Sequence, residues 1–268
     1  MTTVLSLEFM RRALIAAALV GLTAPAIGTF LVQRRLALMG DGIGHVALTG
    51  VGLALLAGTA PLPTAVVLAV AGAVAIELLR ERGGATGDVA LALLFYGGIA
   101  GGVLLTNVSR VATTTNLVSY LFGSVSTVTA GDLGVIAGLA LLVLGVVAAF
   151  GRELFSVCYD EEVARASGLP VRLLNLLIAV TAALTVALAM RVVGLLLVSA
   201  LMVVPVAAAQ QVARSFKGTL LGSLVVGVTV SVGGLLGAYY VDAAPGAVIV
   251  LLAIAGFVGT SVWARVTR

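Results

Sequence analysis

Charge is what this sequence has least of. Only 10% of its 268 residues are charged, against 61% that are hydrophobic, and the mean hydropathy is +1.24. Soluble domains carry about a quarter charged residues, and a chain this apolar could not cover a surface in contact with water. The alternating ten-residue segments typical of a membrane β-barrel are also missing, because the apolar residues come in long continuous runs. The composition therefore predicts an all-α integral membrane protein.

Residues for covalent and metal chemistry are equally scarce. The chain has one cysteine, Cys158, and one histidine, His45. A single cysteine excludes an internal disulfide and gives no zinc-finger spacing. The sequence has no G-x-x-x-x-G-K-[ST] stretch, so the chain cannot bind ATP through a P-loop. We therefore expect neither ATP hydrolysis nor another enzyme activity from this chain, and no permanently bound cofactor.

Apolar runs of about 20 residues, bounded by charged or turn residues, predict about nine membrane-spanning helices in one transmembrane domain over residues 1–268. Glycines within the spans favour close packing of these helices. Residues 107–130, between the fourth and fifth spans, are rich in Thr, Ser and Asn and predict a re-entrant piece or a short helix at the outer surface. The predicted spans are 13–32, 36–57, 62–79, 88–106, 131–150, 171–190, 192–210, 218–240 and 245–263.

Arginine and lysine are distributed unevenly between the two ends of these spans. The positive-inside rule assigns the richer end to the cytoplasm, which puts the amino terminus outside and the carboxyl terminus inside. The basic residues come in small groups between apolar runs, which is typical of cytoplasmic loops, so we expect lipid and no nucleic acid as a partner. The residues assigned to the cytoplasm are Arg34, Arg35, Arg80, Arg82, Arg152, Arg165, Arg172, Arg214, Lys217, Arg265 and Arg268.

Asp41 and His45 are the unusual residues of the second span. Four residues apart on a helix, they face the same side one turn apart. An aspartate at this depth costs a few kcal/mol unless it faces a cavity or a partner. Carboxylate oxygen with imidazole nitrogen suits zinc, manganese or iron(II). The alternatives are a structural hydrogen bond between the two side chains, or an ion pair from Asp41 to Arg34 or Arg35.

The longest charged loop predicts a short helix at the cytoplasmic face, between the fifth and sixth spans. An aspartate is a good N-cap, two glutamates favour the first turn, and a glycine before Leu-Pro ends the helix. Such a helix is either an ordinary connection or a docking element for a cytoplasmic subunit. The residues concerned are Asp160, Glu161, Glu162, Ala166 and Gly168.

Pro205 lies in the inner half of the seventh predicted span. A proline inside a helix removes one backbone hydrogen bond and bends the helix, which its neighbours must tolerate. We expect either a packing kink or a gating hinge at this residue.

Several stretches of the chain together resemble the membrane permease subunits of ABC importers for zinc, manganese and iron(II). The most specific part of the resemblance is an LMGD sequence and a histidine four residues after its aspartate, followed much later by RVVGLLLVSALMVVP. The stretches that carry it are 33-QRRLALMGDGIGHVALTGVGLA-54, 118-VSYLFGSVSTVTAGDL-133, 160-DEEVARASGLPVRLL-174, 191-RVVGLLLVSALMVVPVAAA-209 and 245-PGAVIVLLA-253.

The resemblance implies a multi-span bundle of the vitamin-B12 importer type, working as a two-fold homodimer in the bacterial cytoplasmic membrane. It implies that Asp41 and His45 handle the metal on the translocation path, with zinc expected ahead of manganese and iron(II). It implies that the metal is cargo, and we expect a separate ATP-binding subunit, docking at 160–168, to supply the energy. It also implies that an extracytoplasmic metal-binding protein delivers the metal, and we expect that protein to dock on an outer surface formed by 107–130, 241–247 and the turn at Arg191.

The chain departs from the family pattern next to the two expected ligands. Family members often carry Ala-Leu-Ser between the aspartate and the histidine, where this chain has Gly42, Ile43 and Gly44. Together with Gly40, these glycines are expected to thin the helix surface where an ion passes.

Two other functions are also considered for a membrane protein with this pair. An ion-coupled secondary metal transporter predicts inverted repeats and more intramembrane carboxylates than this chain has. A membrane-embedded metalloenzyme would need more ligands than one Asp–His pair and a general base, which the sequence does not supply.

Overall fold

A computed structural model of the chain describes residues 7–81, 87–109, 121–124, 128–190, 192–195 and 197–266, with only the backbone of residues 87 and 88. Within these ranges the regular structure is helical throughout. The helices are α1 (Glu8–Gln33), α2 (Met39–Ala57), α3 (Pro61–Glu81), α4 (Gly87–Val108), α5 (Ala130–Tyr159), α6 (Glu161–Ala166), α7 (Val171–Ala189), α8 (Val198–Val212), α9 (Phe216–Val241) and α10 (Pro245–Val266).

Eight of the helices described are long and apolar enough to cross a membrane. The other two are α6, with six residues, and α8, an apolar helix of 15 residues. The eight long helices and α8 follow the order of the predicted spans. The predicted all-α multi-span bundle is therefore confirmed, and its seventh span is shorter than expected.

Capping residues set several of the helix ends. Thr129 and Asp132 form a capping box at the start of α5, and the Ser215 hydroxyl accepts a hydrogen bond from the backbone N–H of Gly218 at the start of α9. These contacts satisfy backbone donors that have no partner inside the helix. Gly58, with φ +67°, terminates α2 in the left-handed conformation that glycine adopts without strain.

Helices α1, α2 and α7 are the most buried spans. Helix α2 packs mainly against α4 and also touches α3, α7 and α8. The contact with α4 is close: a Cβ atom on Gly98 would lie 2.6 Å from the carbonyl carbon of His45, and the Thr49 hydroxyl donates a 2.8 Å hydrogen bond to the Gly98 carbonyl. Gly21 and Gly227 allow a similar approach of α1 to α9. The predicted close packing through glycine is confirmed at these crossings.

The seventh predicted span, 192–210, is not one helix. Helix α7 ends at Ala189, and α8 begins only at Val198. Between them, Gly194 has φ +88°, a conformation that cannot continue a right-handed helix. The backbone of this turn lies tightly against Gly123 and Gly246. A Cβ atom on either glycine would collide with a backbone carbonyl oxygen of the turn. The prediction of a helix starting at 192 was wrong because hydrophobicity alone does not show a left-handed residue.

Basic residues from separate elements meet at one end of the bundle. Arg34, Arg80, Arg165 and Arg172 line a single cavity of about 350 Å³ there. Their common location agrees with their common assignment to one membrane face. The assignment of that face to the cytoplasm stays a prediction from the positive-inside rule.

Candidate metal-translocation site

Asp41 and His45 lie in the first two turns of α2 and face the same side of it. The Oδ1 atom of Asp41 is 4.0 Å from Nε2 of His45. This is ion-pair range but too long for a hydrogen bond, so the structural hydrogen bond considered for the pair is not formed. Bonds from a transition metal to nitrogen and oxygen are about 2.0–2.2 Å long, and the separation therefore leaves room for an ion between the two atoms.

Ser199 is the third polar side chain at this point, and it comes from another helix. Its hydroxyl donates a 3.3 Å hydrogen bond to Oδ1 of Asp41. Ser199 lies in the first turn of α8, so the break at Gly194 decides where this hydroxyl meets α2. Sequence reasoning missed Ser199, and its only signal was a single polar residue in an apolar run. Among the described residues, no group of three or more His, Cys, Asp and Glu side chains could hold a metal.

The two residues of the pair have different surroundings. His45 is 8% exposed, and its ring meets Phe95 of α4 edge to face with the centroids 4.4 Å apart. The side chain of Asp41 is 26% exposed. It opens into a groove of about 400 Å³ whose other walls include Leu91 and Tyr96. A carboxylate that faces an apolar groove within a span needs a cation or a polar partner beyond these walls.

Arg34 is used elsewhere and does not neutralise Asp41. Its guanidinium donates a 2.8 Å hydrogen bond to Oδ1 of Asn175 and a 3.2 Å hydrogen bond to Oε2 of Glu161. The ion pairs of the described residues also include none from Asp41 to Arg35, so the alternative of an ion pair from Asp41 to Arg34 or Arg35 is wrong.

The glycines around the pair are packing residues. Gly40 faces α8, Gly42 faces the Leu94 side chain of α4, and Gly44 lies under the carbonyl oxygen of Leu195. A Cβ atom on Gly42 would come within 2.7 Å of the Leu94 side chain. The expectation that these glycines open the helix surface for an ion was wrong, because neighbouring elements fill the space that the missing side chains leave.

The predicted short helix forms as α6. The carboxylate of Asp160 accepts 3.0 Å hydrogen bonds from the backbone N–H groups of Glu162 and Val163, and Gly168 ends the turn with φ +81°. Ala164 is fully buried and seats the helix on the bundle. The residues exposed on its outer side are Asp160, Glu162, Val163, Arg165, Ala166 and Gly168.

Pro205 is buried inside α8, which continues through it from Val198 to Val212. It lies six residues after Ser199, so a bend there would move the helix end that contacts Asp41. Its role as a gating residue stays a prediction. A second internal proline, Pro25 of α1, lies against Gly227 at the α1–α9 crossing.

Part of the predicted outer surface lies outside the described residues, including Thr114, Arg191 and most of 107–130. Asp242 is described: it is exposed, has φ +54° and ends α9. The described residues 121–124 pack against the turn between α7 and α8.

Comparison with known proteins decides the family. The family described as "ABC 3 transport family" matches residues 6–264 of this chain. The chain belongs to the ABC 3 transport family. As a member of that family it is a multi-pass permease subunit of the bacterial cytoplasmic membrane and not an enzyme, and ATP hydrolysis is carried out by a separate ATPase subunit.

Relatives of this ABC 3 family permease match over nearly its whole length. It is 34% identical over 249 residues to a manganese transport system membrane protein of Halalkalibacterium halodurans, covering 93% of this chain and 85% of the relative. It is 32% identical over 244 residues to a manganese import system permease protein of Streptococcus gordonii, covering 91% and 87%. Its fold is similar to that of PsaBC from Streptococcus pneumoniae, solved in complex with Fab, with a TM-score of 0.87, 30% identity, and coverage of 98% of this chain and 97% of that one.

Proposed function

We propose that this permease carries a divalent transition metal through the membrane into the cytoplasm, and that Asp41 and His45 contact the ion in transit. One observation carries the proposal: Asp41 lies 4.0 Å from His45, has no arginine partner among the described residues, and opens into a groove within a span of an ABC 3 family chain. The alternative of an ion-coupled secondary transporter receives no support from the relatives described above.

The ligand set of one chain is incomplete. Asp41 and His45 give two donors, while zinc takes about four and manganese up to six. A two-fold dimer that brings both grooves to its axis would double the donors, and water would complete the shell in a single subunit. Incomplete coordination suits a transport site, because a carrier must release its ion. The homodimer is part of this proposal, as is a single transmembrane domain over the whole chain.

Manganese is the cargo to test first. Both relatives described above are named for manganese, and the carboxylate of Asp41 with the hydroxyl of Ser199 supplies the hard oxygen atoms that manganese prefers. The preference for zinc drawn from the resemblance, and the possibility of iron(II), stay predictions.

Metal competition tests both the function and the cargo. Cells without their own manganese and zinc importers would express the permease with its ATPase subunit and binding protein, and uptake of radioactive manganese would be measured. We expect uptake that unlabelled manganese suppresses and equal zinc does not. The reverse order would make zinc the cargo. Uptake no greater than in cells without the permease, for manganese, zinc and iron(II) alike, would contradict metal transport.

Helix α6 is proposed as the docking element for the ATPase subunit. It is capped, it is seated on the bundle by Ala164, and its outer side is exposed and charged. Replacing Glu162 with lysine should reduce co-purification of the ATPase subunit about tenfold, the effect of losing about 1.4 kcal/mol at an interface. Glu162→Gln, which removes the charge without reversing it, is the milder control. Full co-purification with Glu162→Lys would argue against docking at α6.

The opposite face is proposed to receive an extracytoplasmic metal-binding protein, at a surface that includes the turn after α9. Cysteine at Asp242 should react with a membrane-impermeant thiol reagent from outside intact cells, with Cys158 replaced. Cysteine at Ser167, exposed beside α6, should react only after the cells are opened. Labelling in the opposite order would overturn the orientation.

A further inference from the structure

Arg34 joins three elements at the face where α6 lies. It follows the last residue of α1, and its two terminal guanidinium nitrogens reach Asn175 of α7 at 2.8 Å and Glu161 of α6 at 3.2 Å. The side chain of Arg34 is only 8% exposed. A nearly buried guanidinium held by two partners from different helices has a fixed position, because losing either partner leaves a charge or a polar group without compensation.

Glu161 has a second basic partner, but that contact is of a different kind. Arg165 lies 3.1 Å from Glu161 within α6 itself, and its side chain is 70% exposed. Solvent screens such a pair, and it ties α6 to nothing else. Among the described residues, the Arg34 contact is therefore the ion pair that joins α6 to the rest of the bundle.

The connection from Arg34 to the Asp–His pair is short and ordered. Backbone hydrogen bonds of 2.8 Å from Leu36 to Leu31 and of 2.9 Å from Met39 to Leu36 close the chain between α1 and α2. Asp41 then lies in the first turn of α2. Because these backbone hydrogen bonds hold the segment, a displacement of Arg34 is carried to the start of α2 and not absorbed by a flexible loop.

We infer that the Arg34–Glu161 contact transmits the position of α6 to Asp41, so that ATP-driven movement of the docked subunit changes how the metal is held. Arg34 is a positioning residue: it contacts neither the ion nor the ATPase subunit. The inference rests on the proposed function, since it needs both a docked ATPase and a metal at the pair. A mere anchor for the bundle would explain the same contacts, and the experiment must separate the two roles.

The experiment measures metal uptake per ATP hydrolysed, in liposomes that contain the assembled permease and ATPase and are supplied with the metal-loaded binding protein. Arg34→Glu should lower this ratio about tenfold, within the range of coupling between distant sites, while the ATPase still co-purifies and hydrolyses ATP. Glu161→Arg lies on the proposed docking helix α6 and should lower the ratio similarly. Because the ratio is taken per ATP hydrolysed, it does not depend on how much ATPase subunit remains bound. The double variant Arg34→Glu/Glu161→Arg should regain much of the ratio. In it the charges face each other again, and the carboxylate at position 34 can accept from the Asn175 amide.

A matched control and a milder variant keep the test decisive. Arg172 pairs with Glu81 at 2.9 Å across α7 and α3, with its side chain 64% exposed, and Arg172→Glu should leave the ratio unchanged. Arg34→Lys keeps the charge, but lysine lacks the planar group that donates to both Asn175 and Glu161. It should therefore lower the ratio less than Arg34→Glu, without loss of assembly.

The outcomes separate this inference from the proposed function. If the wild-type complex takes up no metal, the proposed function fails. If it does take up metal but uptake and ATP hydrolysis fall together in the Arg34 variants, Arg34 is an anchor and the inference is overturned. An unchanged ratio, or a double variant no better than the single ones, would overturn it equally.

Discussion

Replacing Asp41 with asparagine should lower metal uptake about 100-fold or more, because even groups that only support a metal ligand contribute about 10–100-fold. Asparagine keeps the size of the side chain and its ability to accept the Ser199 hydrogen bond, but it removes the charge that attracts a cation. His45→Ala should have a comparable effect, since it removes the nitrogen donor 4.0 Å away. Uptake of radioactive metal into cells, at equal permease levels in the membrane, measures both effects.

The control is Glu81→Gln. Glu81 forms a solvent-exposed pair with Arg172, so the same loss of one carboxylate charge there should leave uptake unaffected. Ser199→Ala should fall between the two because it removes a hydrogen bond to Asp41 and no ligand charge. If Asp41→Asn and His45→Ala transport at the wild-type rate, the pair is structural.

Adding one methyl group to Gly98 should destabilise the protein by about 1–3 kcal/mol, the usual effect of overpacking. A Cβ atom there would lie 2.6 Å from the carbonyl carbon of His45 and 2.7 Å from the backbone nitrogen of Val46. Backbone atoms cannot move aside without shifting α2, so Gly98→Ala should displace the helix that carries Asp41 and His45 and reduce uptake as well. Thermal unfolding of the purified permease in detergent measures the change in stability.

Gly97 provides the control one residue away. It is exposed on the same helix, and a Cβ atom added there meets no atom within 4 Å. Alanine is a better helix former than glycine by about 1 kcal/mol, so Gly97→Ala should leave the unfolding temperature unchanged or raise it. The same substitution is thus expected to lower the unfolding temperature at Gly98 and to leave it unchanged or raise it at Gly97. Equal unfolding temperatures for the two variants would contradict the close α2–α4 contact.

Features that depend on local sequence were predictable. The i, i+4 spacing placed Asp41 and His45 on one side of α2, and the N-cap propensity of aspartate located the start of α6. Hydrophobic runs of sufficient length located the spans for the same reason, since a membrane helix satisfies its own backbone hydrogen bonds.

Features that depend on contacts between distant segments were not predictable. The turn at Gly194 interrupts a run that is apolar on both sides, and only its packing against Gly123 and Gly246 fixes the left-handed conformation. That turn places Ser199 beside Asp41, although the two residues are 158 positions apart in the sequence. Pattern reasoning therefore found the pair on one helix and missed the hydroxyl that a second helix adds.

The most direct test of the central claim is ATP-driven metal uptake by the purified transporter in liposomes. We predict that manganese accumulates only when the permease, its ATPase subunit, the metal-binding protein and ATP are all present, and that Asp41→Asn abolishes this accumulation while the ATPase subunit remains bound. Metal uptake by the permease alone, driven by an ion gradient and unchanged by ATP, would contradict the account and favour a secondary transporter.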